Sequence, residues 1–348
     1  MLQTTSYLLM LSALILMFSA CMGTESEEEI APINPSLTAE VIRFDRLIQS
    51  LPEDNIVRNY NLSLAEKHPA FSQLYQREII EARDSITLER ELNLIRKDST
   101  YLQLSEEVED RLGDLVEVIP ELSQLFENYL NLFGLSEDQI PSVYAFISGF
   151  TYQAFLFDDN GRNGVGLGLD MFLGKEFPYQ RIHPSDPSFS QYLARTYTKE
   201  HISRKVAEVL VEDKLLPPRK SDFLSLMIWG GKKLYLVDQL LNFVPDTIVT
   251  QYTGEQLKWC QNNQSQMWQF FFEEELFYTT DLRKFAKLVG PAPTSPGMPK
   301  ESPGGTGNYM GWQIVKAFMS RNTDVTIDEL IRTEAQAILD RSRYKPPR

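Results

Sequence analysis

The stretch that decides the fold class is residues 143–173, which read VYAFISGFTYQAFLFDDNGRNGVGLGLDMFL. Three short apolar runs, at 143–147, 152–157 and 165–173, have the length and the aromatic and β-branched content that are typical of strands. The second and third runs are joined by DDNG at 158–161, an Asn-Gly turn signal of β-hairpins. We therefore expect a small antiparallel sheet, and we interpret the glycines of the third run as sites of close backbone packing: Gly164, Gly166 and Gly168.

Outside this stretch the apolar residues follow a helical period. The positions from Leu104 to Ile119 recur every three or four residues and stop at Pro120. The same pattern predicts helices over residues 188–213, 219–240, 254–278, 309–320 and 326–341. The expected class is mainly α with a small antiparallel β-sheet (α+β), and residues 36–348 are expected to form a single globular domain.

Composition and charge exclude several classes of function. The 348 residues carry a net charge of −14, whereas a general nucleic-acid binder shows clustered Lys and Arg, so we expect no nucleic-acid partner. Two cysteines and three histidines leave little material for a disulfide framework or an imidazole zinc site. We predict no metal and no cofactor, and Cys260, in an apolar helical pattern beside Trp259, is expected to be buried.

The first 35 residues predict export and lipid attachment. Residues 1–20 contain no charged side chain, and the apolar run from Leu8 to Phe18 is typical of a signal peptide and too short to span a bilayer. Small residues stand directly before Cys21, as in a bacterial lipoprotein cleavage site, so Cys21 is the predicted lipidation site. Residues 21–35 then form an acidic tether, which acts as a spacer or as a surface-export address. An ordinary signal peptide or an uncleaved anchor is the alternative.

No sequence motif assembles a catalytic site. Lys199-Glu200-His201 lacks the second histidine of a zinc-peptidase motif, and Gly230-Gly231-Lys232-Lys233 lacks the flanking residues of a phosphate loop. We interpret the glycine pair as a site of close helix packing beside two solvated lysines. The glycines at 305–311 are interpreted as a tight turn into a packed helix, with an anion site at the start of that helix as the alternative. The chain is therefore not expected to be an enzyme.

The chain resembles the GldB family, lipoproteins of the gliding-motility machinery in Bacteroidota. An ordered series of segments carries the resemblance: WGGKKLY at 229–235, YTGEQLKWC at 252–260, QMW at 266–268, SPGGTG at 302–307, MGWQIV at 310–315 and SRYKP at 342–346. Weaker echoes are RFD at 43–45 and GLDMFLG at 168–174. The layout is also similar to a zinc-peptidase scaffold without its metal ligands, which is an analogy of fold only.

The resemblance implies a non-enzymatic envelope lipoprotein of the gliding-motility and type IX secretion machinery, acting as a scaffold or stabilising subunit. Its implied partners are the membrane, through the N-terminal lipid, and other envelope motility or secretion proteins. The implied location is the cell envelope, with the outer membrane expected and its periplasmic or surface side left open. The candidate partner-binding or family-motif residues are Trp229, Lys232, Tyr235, Trp268 and Trp312. Each aromatic could instead be core, and the rival hypothesis is a surface hydrolase or glycan-binding lipoprotein with a pocket at Glu200 and His201.

Overall fold

Four strands form one mixed sheet in a computed structural model that describes residues 31–347. They are β1 (Val41–Arg43), β2 (Ser142–Phe146), β3 (Ala154–Asp158) and β4 (Asn163–Gly168). Their order is β1-β2-β4-β3. The strands β1 and β4 each pair with β2 in parallel, and β3 pairs with β4 antiparallel.

The sheet therefore differs from the predicted antiparallel sheet in two respects. The β3–β4 hairpin forms as expected around the 158–161 turn, where Asn160 and Gly161 have positive φ of 58° and 90°. The hairpin, however, places β4 rather than β3 beside β2, which makes that pairing parallel. A fourth strand arrives from residues 41–43, about 100 positions upstream. An alternating apolar pattern predicts that a strand exists, but it does not determine the neighbour of that strand.

The glycines of β4 allow the aromatic rings of β3 to cross the strand, which confirms the interpretation of close packing. Phe155 is paired with Gly166 and Phe157 with Gly164. A Cβ atom at Gly166 would lie 2.3 Å from the Phe155 ring, and one at Gly164 would lie 2.4 Å from the Phe157 ring. At Gly168 a Cβ would lie 2.0 Å from the Tyr152 carbonyl oxygen.

The aromatic core beside the sheet is built by four short helices, α1 (Phe44–Gln49), α2 (Ile56–Tyr60), α3 (Pro69–Leu74) and α4 (Ser85–Lys97). Helices α2 and α3 continue into π-helical segments at Asn61–Ala65 and Tyr75–Ile79. Phe71 of α3 stacks on Tyr144 of β2, with ring centroids 4.6 Å apart, and meets Phe44 edge-on at 4.8 Å. These contacts join the helices and the sheet in one apolar cluster.

The predicted stop at Pro120 is wrong. Helix α5 (Ser99–Leu112) ends at Gly113, whose φ is +49°, and the next helix, α6 (Val118–Phe133), begins two residues before the proline. Proline is tolerated in the first turn of a helix because the amide there has no intrahelical acceptor. Pro120 therefore lies at a helix start.

The C-terminal half is helical, and its bounds show where the longer predicted helices are broken. The helices are α7 (Gln191–Ala194), α8 (Ile202–Lys214), α9 (Phe223–Leu240), α10 (Asp246–Thr250), α11 (Gly254–Asn262), α12 (Gln264–Glu273), α13 (Leu282–Val289), α14 (Thr306–Arg321), α15 (Ile327–Arg332) and α16 (Ala335–Ser342). The predicted helix at 326–341 is two helices, α15 and α16, separated at Thr333 and Glu334, which are extended.

Helices α9 and α14 form the most extensive helix–helix contact among the described residues, and α16 packs against both. The predicted class, mainly α with a small sheet (α+β), is confirmed. The residues from Pro32 onward group as one unit by their contacts. Within residues 31–347 no helix has the length and apolarity needed to cross a bilayer.

Candidate functional site

Helix α9 carries three of the five candidate residues, Trp229, Lys232 and Tyr235. The Asp222 side chain caps the helix by accepting a hydrogen bond from the Ser225 amide at 2.8 Å. Apolar residues surround the helix, which is typical of a helix buried on several sides. Trp229 and Lys232 are three positions apart, so their side chains lie on neighbouring turns of one face.

The glycine pair of α9 packs closely on α14, Gly231 against its backbone and Gly230 against the Asn308 side chain. A Cβ atom at Gly231 would lie 2.1 Å from the carbonyl carbon of Gly311, and one at Gly311 would lie 2.0 Å from the Met227 carbonyl oxygen. A Cβ at Gly230 would lie 2.1 Å from the Asn308 amide oxygen. The interpretation of these glycines as a site of close helix packing is confirmed.

Lys232 is buried, with 7% of its surface exposed, so the expectation that both lysines are solvated is wrong for this residue. Its Nζ donates hydrogen bonds to the carbonyl oxygens of Ile331 at 3.0 Å and Thr333 at 2.7 Å. These carbonyls lie where α15 ends, and the negative end of a helix favours a cation. Within residues 31–347 no carboxylate forms an ion pair with Lys232, and burial lowers the pKa of its ammonium to about 8.

Lys233, the next residue, has different surroundings. Its Nζ lies 3.1 Å from a carboxylate oxygen of Glu208 and 3.1 Å from one of Glu212, both on α8. The ammonium also lies 5.4 Å from the centroid of the Trp229 ring. Two adjacent lysines therefore have distinct roles: Lys233 belongs to an ion-pair network, and Lys232 is held by backbone carbonyls alone.

A cavity of about 260 Å³, which we call the Lys232 cavity, opens beside this face of α9. Its walls come from the segment before α9, the first turns of α9, Tyr278, and the break between α15 and α16. Leu216 and Tyr278 at this cavity are 51% and 69% exposed. Trp229 is oriented by a hydrogen bond from its Nε1 to the Leu216 carbonyl oxygen at 3.1 Å. The lining combines apolar side chains with four cations and two carboxylates: Arg219, Lys220, Lys232, Arg332, Asp222 and Glu334.

The other candidate aromatics do not join this site. Tyr235 is half-buried one turn further along α9 and does not line the cavity. Trp268 on α12 packs against Phe277 and Tyr344, with ring centroids 5.0 and 6.1 Å away. Of the five candidates, Trp229 and Lys232 are the two that line this cavity.

Trp312 is wholly buried and cannot contact a partner. Its ring packs against Tyr309 in the core, and the Lys316 ammonium lies 3.9 Å from its centroid. An indole with no exposed surface contributes to packing between helices, so Trp312 is a core residue.

The segments at 43–45 and 168–174 have structural roles in the sheet region. Arg43 and Asp45 form a two-point ion pair, with nitrogen–oxygen distances of 2.9 and 2.6 Å. Asp170 is fully buried and accepts hydrogen bonds from the Ser148 amide at 2.8 Å and the Ser148 hydroxyl at 3.0 Å. Burial raises the pKa of Asp170, and these donors hold the loop after β2.

Sequence reasoning missed the loop residues that complete the cavity, above all Leu216, Tyr278 and Thr333. The proline pair Pro217-Pro218 signals a break before α9, but an apolar residue in a loop carries no signal of what it faces. Because a continuous helix was predicted over 326–341, the break after Arg332 was missed, and with it the carbonyl oxygens of Ile331 and Thr333 that hold Lys232. That contact joins positions about 100 residues apart.

The residues of the rival hypothesis, Glu200 and His201, directly precede α8. Glu200 is exposed, and His201 Nδ1 lies 3.0 Å from the Thr198 hydroxyl. Burial lowers the pKa of His201 to about 4, which keeps the imidazole neutral at pH 7. A cavity beside α8 is lined by residues including Lys205, Glu208 and Glu212. Among residues 31–347 no group of three or more His, Cys, Asp or Glu side chains is arranged to hold a metal ion.

The predicted anchor lies outside the described residues, because the signal peptide at 1–20, Cys21 and most of the 21–35 tether precede residue 31. The end of the tether is described, and there the Asn34 amide donates to the Gln124 side chain of α6 at 3.2 Å. Cys260 is a buried free thiol, as expected. Burial raises the pKa of that thiol and leaves it unreactive.

The fold and the site together define a mainly helical α+β protein with an apolar, cation-lined cavity on its central helix. A family model described as gliding motility protein GldB matches residues 24–346. The chain therefore belongs to the GldB family, which confirms the resemblance and assigns the protein to gliding motility. No curated protein and no solved structure matches the chain significantly.

Proposed function

We propose that this protein is a non-enzymatic, lipid-anchored subunit of the gliding-motility and type IX secretion machinery, in which it holds other envelope proteins in place. The observation that carries the proposal is membership of the GldB family over nearly the whole chain. A motility role requires contact with other components of the machinery, because a small folded domain on a lipid anchor generates no movement by itself.

The surface around the Lys232 cavity is the part of the molecule best suited to such contacts. Trp229 is half-buried and fixed by its hydrogen bond, while Leu216 and Tyr278 are exposed beside it. Tryptophan, tyrosine and arginine supply most of the binding energy at protein interfaces, and exposed apolar patches mark interaction sites. This composition favours protein binding over catalysis.

The proposed absence of catalysis is supported by the environment of the candidate acid–base pair. A general acid or base needs a pocket in which a substrate approaches it within hydrogen-bonding distance. Glu200 projects into solvent, and His201 is neutral and contacts Thr198. Neither arrangement prepares a reacting group for a substrate.

A deletion strain tests the motility role, and affinity capture tests the scaffold role. Loss of the gene is expected to abolish spreading colonies. Capture of the tagged protein from envelopes in gentle detergent, after cross-linking, is expected to retrieve motility or secretion proteins. Normal spreading of the deletion strain, or recovery of the bait alone, would contradict the proposal.

The lipid anchor is tested at Cys21. Each acyl methylene buried in the membrane contributes about 0.8 kcal/mol, so several chains make the attachment effectively permanent. A Cys21→Ser variant exported by a non-lipoprotein signal peptide is expected in the soluble periplasmic fraction, with its folded domain intact. If the variant stayed on the membrane after a high-salt wash, with no partner holding it, Cys21 would not be the anchor.

A further inference from the structure

The buried ammonium of Lys232 has bonding capacity that the described residues leave unused. A lysine ammonium has three N–H donors, and two of them are satisfied by the Ile331 and Thr333 carbonyl oxygens. Both of these residues line the cavity, as Lys232 itself does. The charge therefore lies at the wall of an open space with one donor left and no carboxylate partner within residues 31–347. One acceptor atom of an anionic ligand completes the set of three.

The charges around the cavity favour an anionic ligand. Glu334 is paired with Arg219 at 2.9 Å, and the Asp222 carboxylate is occupied in capping α9. With four cations against two carboxylates, the cavity lining has a surplus of two positive charges, in a chain whose net charge is −14. This local positive charge attracts an acidic group at short range, where it outweighs the more distant negative charge of the rest of the chain.

The apolar walls and the size of the cavity restrict the ligand further. Apolar surface next to the cations comes from Trp229, Leu216 and Tyr278. Leu216 is half exposed and Tyr278 is mostly exposed. The volume of about 260 Å³ is below the roughly 300–1,000 Å³ that is usual for sites of drug-sized ligands and cofactors. It suits one large side chain and an adjacent carboxylate, not a whole cofactor.

We propose that the Lys232 cavity is a docking site for a peptide segment of a partner protein that carries a carboxylate next to a large apolar side chain. The carboxylate accepts a hydrogen bond from Lys232 Nζ, and the apolar side chain packs against Trp229 and Tyr278. The carboxylate is either the chain end of the partner or an acidic side chain. This inference rests on the proposed function, because it names the chemistry by which the same surface holds its partner.

The test uses the purified full-length lipoprotein in mild detergent, labelled with ¹⁵N at the tryptophan indoles. The chain has four tryptophans, and the Trp229 signal is assigned by its loss in Trp229→Phe. Three probes are titrated: acetyl-leucyl-phenylalanine with a free carboxylate, the same dipeptide as its amide, and acetyl-aspartyl-phenylalaninamide. Decanoate serves as a lipid-like carboxylate.

A peptide acid is expected to shift the Trp229 signal in a saturable way, with an affinity about tenfold or more above that of the neutral amide. Preference for the free dipeptide identifies a chain end, and preference for the aspartyl peptide identifies an acidic side chain. Equal binding of the acids and the amide, or binding of decanoate with no binding of either peptide acid, would overturn the proposal. The probes are compared on the wild-type protein, and Trp229→Phe serves only to assign the signal.

Two matched variants identify the charge that distinguishes the peptide acid from its amide. Lys232→Met is expected to reduce the affinity for the peptide acid to that of the amide. Lys233→Met removes the adjacent charge, which does not line the cavity, and is expected to bind as the wild type does. In affinity capture, partners retained by Lys232→Met at wild-type levels would overturn the docking site and leave the proposed function standing. Capture of no partner by the wild type would count against the proposed function instead.

Discussion

Two faces of helix α9 meet their neighbours in opposite ways. On one face, Gly230 and Gly231 bring the backbone so close to α14 that a Cβ at either position would lie within 2.1 Å of another atom. On the other, Trp229 and Lys232 border a cavity of about 260 Å³. The change occurs between adjacent residues, Gly231 and Lys232. One helix therefore fixes the fold through its glycine face and presents polar and aromatic side chains to the cavity on its opposite face.

The largest expected effect comes from closing the glycine face. Gly231→Ala places a Cβ 2.1 Å from the backbone of Gly311, and a backbone inside a helix pair cannot move aside cheaply. We expect a loss of about 3 kcal/mol or more in the free energy of unfolding, measured by urea denaturation. Gly254→Ala is the control, because a Cβ there meets nothing within 4 Å, and it should change stability by less than about 1 kcal/mol. Equal losses in the two variants would contradict close packing at α14.

On the cavity face, Lys232 is expected to make the free energy of unfolding depend on pH in the alkaline range. Its pKa is lowered to about 8 by burial, from 10.5 in the unfolded chain. Between these values the unfolded state binds more protons, so the contribution of this group to the free energy of unfolding rises with pH. From pH 7 to pH 10 the free energy of unfolding of the wild type should rise by about 2 kcal/mol relative to that of Lys232→Met. Urea denaturation at four pH values measures the gap, and a constant gap would show that Lys232 is not a buried ammonium.

His201 provides a comparison at a buried base away from the cavity. Burial lowers its pKa to about 4 from 6.5, so the unfolded state binds more protons between these values and stability falls as pH falls. Between pH 6.5 and 4.5 the free energy of unfolding should fall in both proteins. We expect the fall to be about 2 kcal/mol smaller in His201→Asn than in the wild type. Acid denaturation of both proteins, followed by circular dichroism, gives the answer. The same acid sensitivity in both would contradict burial of the imidazole.

The smallest effect on stability is expected at the exposed rim. Tyr278 is 69% exposed at the cavity, and Phe272 is 72% exposed but does not line it. Tyr278→Ser and Phe272→Ser should each change the free energy of unfolding by less than about 0.5 kcal/mol. In affinity capture only Tyr278→Ser should lower the yield of partners. Equal yields from the two variants would remove the rim of the cavity from the binding surface.

The sequence predicted the parts of the fold that local pattern determines. The three runs at 143–173 became strands, the Asn160-Gly161 turn formed the hairpin, and the apolar period located α9 and α14. The order of the strands was not predictable, because an apolar pattern indicates that a strand forms but does not determine its neighbour in the sheet. The break at Thr333 was missed for a similar reason, since the residues on either side of it carry a continuous helical pattern.

The candidate site was predicted less well, because burial of a single side chain depends on distant segments. Lys232 belongs to a Lys-Lys pair that is usually solvated, and only the end of α15 makes it a buried group. Trp312 has the same local features as Trp229, an aromatic beside a glycine on a helix, yet one is wholly buried and the other borders a cavity. Resemblance to a family identified both residues as family-motif positions, but it could not separate structural from binding roles.

The motility role is expected to depend on the cavity face of α9, and the spreading of colonies measures this dependence in the cell. A deletion strain is complemented with the wild type, Lys232→Met or Lys233→Met, each expressed at the same level in the envelope fraction. Lys233→Met is expected to restore spreading, because its charge lies in the ion-pair network of α8. Lys232→Met is expected to leave the colonies non-spreading. Full spreading with Lys232→Met would contradict this dependence.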